Sequence, residues 1–230
     1  MTQDTDCKFT RIGDEATPDG GYLICENFVK HSEGIINIGV NGYDNFGCQL
    51  STMKRMPNHM FDCTNPRVPP CGSNGGNNHF SYVCVGEVSE KTTQKEFNSL
   101  ADMIKANKLF KRHIFLKIDC EGGEFPAFKY FPVELLDYVD QMVGELHFDN
   151  IYREEWGMLD IFRTLMTKFV SVNLHMNNWG CMRNRKLKSR AVEFSLVNKN
   201  IIKLNSQSQS YAQHPLNKVN GRGVPDCQMG

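Results

Sequence analysis

Apolar residues in this chain fall in short runs separated by turn-forming and amphipathic stretches. The run Gly34-Ile35-Ile36-Asn37-Ile38-Gly39-Val40 ends on glycine and gives way to the polar loop NGYDNFG. A run this short, bounded by turn residues, predicts a buried strand. The same pattern predicts strands over residues 59–62, 80–86, 114–119, 141–148, 169–176 and 191–198. Helical spacing lies between them. Residues 47–56 predict a short helix stopped by Pro57, and Phe97, Leu100, Ile104 and Leu109 share one face of a helix over 96–109. Shorter helices are predicted over 123–130 and 132–138. Trp156, Leu159, Phe162, Met166 and Phe169 mark the strongest amphipathic helix. Upstream, residues 8–25 read as two strands joined by a Pro-Asp-Gly-Gly turn.

Strands alternating with helices predict an α/β fold, a seven-stranded, mostly parallel sheet with helices on both faces. The last two strands are joined by the basic stretch 183–190 rather than by a clear helix, which predicts an antiparallel hairpin at the sheet edge. The expected division is an N-terminal hairpin segment over 1–33, the sheet domain over 34–203, and a polar, extended or partly disordered tail over 204–230. Residues 63–79, rich in Pro, Gly and Asn, read as a surface excursion outside any ligand-binding core.

Composition narrows the picture. The chain has 230 residues, 40% of them hydrophobic, enough for one domain with a core. Lys and Arg number 26 and so do Asp and Glu, so no overall field draws the chain to nucleic acid or to an anionic membrane, and neither is an expected partner. No apolar run approaches the ~20 residues of a membrane span. The polar start MTQDTDCKFT has no signal-peptide core. The expected location is the cytoplasm if the chain is complete, and the secretory lumen or exterior if a signal segment has been removed. The nine cysteines form no CxxC pair, so structural zinc is not expected. Cys7 with Cys25, or Cys63 with Cys71, would pair in an oxidising compartment; the odd count and polar start favour reduced thiols.

Particular motifs go further. The strand and loop INIGVNGYDNFG, the acid-terminated HMFD and the run LKIDCEGGEF resemble the FkbM-type methyltransferases that use S-adenosylmethionine (SAM). DGGY upstream, with GELHF and HMNN downstream, is similar to the branch of that family carrying DGGY. The resemblance spans roughly residues 8–200. It implies a Rossmann-like class I methyltransferase fold, SAM as the cofactor, and a small-molecule or glycan methyl acceptor. It also implies that DGGY folds over the SAM site. The loop NGYDNFG departs from a full GxGxG, and the tail beyond Asn198 matches nothing in the family pattern.

Residue roles follow from position. Gly39, Asn41 and Gly42 stand at the carboxyl end of the first sheet strand, where open α/β sheets bind ligands and glycine admits close backbone approach. Asp62, 23 positions after Gly39, ends the next strand and is suited to accept both ribose hydroxyls. Glu87, after the third strand, is the candidate on the adenine side. Asp119 and Glu121 bring two carboxylates to the ligand edge, suited to the sulfonium or to the substrate hydroxyl; Glu124 reads as first-turn helix charge. Glu145 and His147 alternate onto one face of the fifth strand, and His175, Asn177 and Asn178 end the sixth. His147, Asp119 and Glu121 are the candidate catalytic groups, with His147 or a carboxylate as the base. No Cys or His has metal-ligand spacing and no metal is expected, although Asp119, Glu121, Glu145 and His147 would form a hard-metal set if they converged. The alternative is a non-catalytic domain of this fold that binds SAM, a glycan or a protein. An NAD-dependent oxidoreductase is disfavoured because the loop lacks GxGxxG.

Overall fold

Side chains along the central strands alternate between two apolar layers, and this alternation places everything else. The computed structural model describes residues 3–13, 21–71, 77–148, 155–181, 189–208, 214–220, 223 and 225–227. In chain order the strands are β1 (Gln3–Thr5), β2 (Phe9–Ile12), β3 (Tyr22–Cys25), β4 (Gly34–Ile38), β5 (Asn58–Asp62), β6 (Asn78–Tyr82), β7 (Cys84–Gly86), β8 (Glu90–Lys91), β9 (Glu96–Ser99), β10 (Ile114–Ile118), β11 (Val139–His147), β12 (Phe169–Met176), β13 (Ala191–Asn198) and β14 (Leu204–Ser208). The helices are α1 (Glu26–Val29), α2 (Asn45–Lys54), α3 (Leu100–Ala106), α4 (Glu124–Lys129) and α5 (Glu155–Lys168), with 3-10 turns over Val133–Tyr138 and Asn178–Gly180.

Seven strands form the main sheet in the order β12-β13-β11-β10-β4-β5-β6. Strands β6, β5, β4, β10 and β11 pair in parallel, and β13 is antiparallel to both of its neighbours. The expected parallel sheet with an antiparallel last strand is therefore present. The expected antiparallel hairpin of the last two sheet strands also forms at the sheet edge; within it β13 lies inside, between β11 and β12, and β12 is an edge strand.

Ile36 and Ile38 of β4, Leu116 and Ile118 of β10, and Met142 of β11 face one layer, packed with Leu100 and Met103 of α3, Phe128 of α4 and Leu165 of α5. Their neighbours Ile35, Phe115 and Val143 face the other, where Phe46 and Leu50 of α2, Val29 of α1, and Ile12, Tyr22 and Ile24 of the β2–β3 hairpin cover them. Helices thus lie on both faces. The hairpin is also bonded to the sheet: the Gln141 side chain exchanges hydrogen bonds with the Cys25 backbone at 2.8 and 2.9 Å, and Ser195 Oγ donates to Leu23 O at 2.7 Å.

Two expected elements differ. Residues 80–86 are not one strand: the chain breaks at Val83, β6 stays in the main sheet, and β7 joins β9 and β8 in a three-stranded sheet. The helix expected from Glu96 starts only after Ser99, because residues 96–99 pair as β9 with β7 and β8. Ser99 Oγ then caps α3 by accepting from the Asp102 N–H at 3.2 Å. The start of the tail is ordered, with β14 pairing antiparallel to β1. Most of the basic stretch 183–190, the Asp19-Gly20 half of DGGY, and residues 72–76 of the Pro-rich excursion lie outside the described residues.

The expectation of reduced thiols is corrected. Cys7–Cys25, Cys48–Cys71, Cys63–Cys84 and Cys181–Cys227 are disulfides, and Cys120 is free. The hairpin pair forms as one of the alternatives had it. Cys63 and Cys71 do not pair with each other, because the excursion folds back so that Cys63 meets β7 and Cys71 meets α2. No helix among the described residues is long and apolar enough to cross a membrane.

Candidate functional site

The sheet's strand order reverses beside β4: the chain runs outward through β5 and β6, then returns to β10 on the other side. A cavity of about 390 Å³ opens there, at the carboxyl ends of β4, β5 and β10. Gly39, Asn41, Asp62, Thr64, Val83 to Val85, Lys117, Asp119 and Glu121 line it. Its position and size are those of a small-molecule site on an open α/β sheet.

Gly39 makes this geometry possible. Its φ is +80°, and a Cβ there would stand 1.5 Å from the carbonyl oxygen of Asp119. Beneath it, the buried Lys117 ammonium donates to Gly39 O at 2.5 Å and Ile38 O at 3.2 Å, pinning the β4 turn to β10. The following loop is fixed by Asp44, whose Oδ1 caps α2 through the Gly47 N–H at 2.7 Å. Asp44 Oδ2 accepts from Asn37 and Asn58 side chains at 2.7 and 2.9 Å. The helix pattern over 47–56 misses Asp44, because α2 begins two residues earlier, at Asn45, with Asp44 as its N-cap.

Asp62 reaches the cavity as expected, already occupied by donors. Oδ2 accepts from Asn41 N at 2.7 Å, and Oδ1 accepts from Thr64 N, Thr64 Oγ1 and Asn65 N at 2.7, 2.7 and 3.0 Å. Burial pushes its carboxyl up, but these hydrogen bonds outweigh that and leave it below its usual value. They also fold the start of the 63–79 excursion back, so Cys63 and Thr64 line the cavity. The expectation that this excursion stands wholly apart from the ligand pocket is corrected to that extent. Gly42 is not among the lining residues; its Cα faces Asn65 and Arg67. Glu87 is not brought in either: its carboxylate pairs with Lys129 at 2.8 Å and borders a separate surface hollow.

Beyond Asp119 the site is crowded with carboxylates. Asp119 Oδ2 accepts from Tyr22 OH at 2.7 Å, which brings the described end of DGGY onto the site. Burial, then the charges of Asp119, Glu145 and Glu193, hold the Tyr22 phenol well above its usual pKa, so it remains a donor. Glu121 sits in a left-handed turn (φ +54°) with its side chain 87% exposed. Glu124 is more than helix charge. It is fully buried, and it accepts from Cys120 N at 2.8 Å and Gly122 N at 3.0 Å while its Oε1 lies 3.1 Å from His147 Nδ1. Nothing in the helix pattern separates such a carboxylate from an exposed first-turn acid.

His147 is the hub. Its Nε2 lies 3.3 Å from Glu145 Oε2, 3.5 Å from Glu121 Oε2 and 4.0 Å from Asp119 Oδ1. Burial pulls its pKa down, but hydrogen bonding and charge from Glu124 and Glu145 push it up to about 11. These surroundings favour the imidazolium, which has no lone pair for a substrate proton. Burial raises the Glu145 carboxyl, and burial followed by Glu124 and Asp119 raises the Cys120 thiol, which is not activated as a nucleophile. His175 does not converge with His147: it pairs with Glu193 at 3.0 Å on the β12–β13 side of the sheet. Asn177, at the end of β12, does reach the cluster, donating to Glu145 Oε1 at 2.5 Å.

No protein-family model matches the sequence, and no curated protein matches it. Among solved structures the chain is similar to an rRNA methylase from Streptococcus thermophilus, at 9% identity over 75% of this chain and 92% of that one, with a TM-score of 0.37. That neighbour is an rRNA methylase, and the expectation of a small-molecule or glycan acceptor with no nucleic acid is withdrawn accordingly. A likeness of this size carries nothing more about the acceptor.

Proposed function

We propose that this chain is a SAM-dependent methyltransferase that transfers the methyl group to a hydroxyl oxygen. The observation that carries the reading is the cavity at the reversal of strand order, walled by the residues on which the FkbM resemblance rests. In this reading the Gly39–Asn41 turn takes the methionine end, and the apolar wall at Val83 to Val85 takes the adenine that Glu87 does not reach. Asp62 offers the ribose the acceptor capacity left on Oδ2, which one protein donor occupies. Asp119 and Glu121 face the sulfonium and the acceptor.

SAM bound there would supply an electrophilic methyl group with a neutral thioether as its leaving group, and a carboxylate of Asp119 or Glu121 would take the proton that the hydroxyl loses. His147, with Nε2 3.5 Å from Glu121 and 4.0 Å from Asp119, positions those carboxylates rather than acting as the base. Most of the rate would come from alignment, because the sulfonium is already a good leaving group.

Calorimetric titration of the full chain with SAM and with its demethylated product tests the reading. One site per chain is expected, binding both. Absence of heat and of any melting shift with either nucleoside would overturn it.

A further inference from the structure

Asp119, Glu145 and His147 each place one ligating atom within 4.8 Å of the others. The printed separations from His147 Nε2 are 3.3 Å to Glu145 and 4.0 Å to Asp119, with Glu121 at 3.5 Å. Around one divalent cation with bonds near 2.1 Å, adjacent ligands lie roughly 3 Å apart and opposite ones about 4.2 Å. The observed spacings fall within that range. A single N–H on Nε2 cannot serve three anionic oxygens at once, whereas a cation can, taking the place of the Nε2 proton that these carboxylates hold on His147 when no cation is bound.

The far side of each ligand is held by a group that is not itself a ligand. Tyr22 OH donates to Asp119 Oδ2 at 2.7 Å, and Asn177 Nδ2 donates to Glu145 Oε1 at 2.5 Å. The fully buried Glu124 lies at His147 Nδ1, and the Cys120 and Gly122 backbone fixes it in turn. A carboxylate behind an imidazole, leaving the other nitrogen free to ligate, is the usual outer shell of a metal-bound histidine. Charge points the same way. Asp119, Glu121, Glu124 and Glu145 gather four carboxylates around Lys117 and one imidazole.

We propose that Asp119, Glu145 and His147, with Glu121 as an exposed fourth ligand, bind a divalent cation of the Mn²⁺ class. An oxygen-rich set with one imidazole suits that ion better than the thiolate-preferring metals. Asp119 and Glu121 also line the cavity, so the ion would stand at its rim and coordinate the acceptor oxygen. That use rests on the methyltransferase reading; the binding itself does not.

The test uses the full chain with Mn²⁺ alone, following free Mn²⁺ by electron paramagnetic resonance. One site is expected. Glu145→Gln and His147→Gln should each weaken it at least about tenfold, and Glu134→Gln, on the exposed surface, should leave it unchanged. No site tighter than about 1 mM, or equal binding by wild type and both site variants, would overturn the proposal. Should the variants fail to fold, histidine-labelled wild type decides: Mn²⁺ must broaden the His147 ring signals before those of His31, and uniform broadening overturns the proposal. SAM titration of the same samples keeps the two readings separate. Mn²⁺ binding without SAM binding sinks the methyltransferase reading alone, and the reverse sinks the metal site alone.

Discussion

The Asp62 carboxylate meets four donors before any ligand arrives, three from backbone N–H groups and one from a hydroxyl. Its removal therefore has two consequences. In Asp62→Ala the N–H groups of Asn41, Thr64 and Asn65 lose their acceptor, and the turns on both sides of the cavity loosen. A stability loss of about 1–3 kcal/mol is expected, together with SAM binding weaker by roughly tenfold or more. A thermal melt beside a calorimetric titration reads both. A lower melting temperature with unchanged SAM affinity would reduce Asp62 to a capping residue. At this scale the sequence was legible where a residue ends a strand: Gly39, Asp62 and Asp119 reach the carboxyl edge because strand direction puts them there. Glu124 and Asn177 were not legible, because their roles depend on contacts with His147 and Glu145, which come from other elements.

Elements followed the same logic. Buried strands were legible because β4, β5, β10, β12 and β13 are short apolar runs with little competing helical periodicity. Residues 96–99 misled because Phe97 satisfies a helical stripe and a strand equally well. Only pairing with β7 and β8, contacts outside any local window, decides for the strand. Disulfide partners were hidden for the same reason, since Cys63 finds Cys84 only once β5 and β7 stand side by side. That bond joins two walls of the cavity, and Cys48–Cys71 ties the excursion to α2. Disulfides closing loops of this size typically contribute about 2–4 kcal/mol each, and they persist in oxidising compartments, where we propose this chain folds. Denatured without reductant, the protein should expose one thiol, that of Cys120. Reduction should lower its melting temperature sharply and weaken SAM binding. Nine titratable thiols in protein purified without reductant from its native source would contradict the oxidising assignment.

Across the whole molecule, the two ends of the chain close over the β12–β13 side of the sheet. Strand β1 pairs with β14, Cys227 is bonded to Cys181, and Asn217 exchanges hydrogen bonds with Asn173. His175 lies at the centre of this closure. Its Nδ1 is 3.0 Å from Glu193 Oε2 and its Nε2 is 3.4 Å from Asp226 Oδ1 in the tail. Glu193 also accepts from Asn220 at 2.6 Å and has Arg11 of β2 at 3.9 Å. Burial pulls the His175 pKa down, but Glu193 and then Asp226 pull it up further, so the net shift is upward. The folded state therefore holds this proton more tightly than the unfolded chain, whose histidine titrates near 6.5. A raised folded pKa contributes stability that is full below about pH 6.5 and is lost as pH rises through the folded value. His175→Gln should then cost about 2 kcal/mol at about pH 5.5, the scale of a charge-assisted hydrogen bond. The gap between wild type and variant should narrow steadily at higher pH. Denaturant melts of both proteins from about pH 5 to 9 measure that gap with the other titrating groups held in common. A constant gap would mean that the fold leaves the His175 pKa unshifted, and one that widens with pH that the fold prefers the neutral ring; either result would mean that the tail is held by its disulfide and Asn217 rather than by this ion pair.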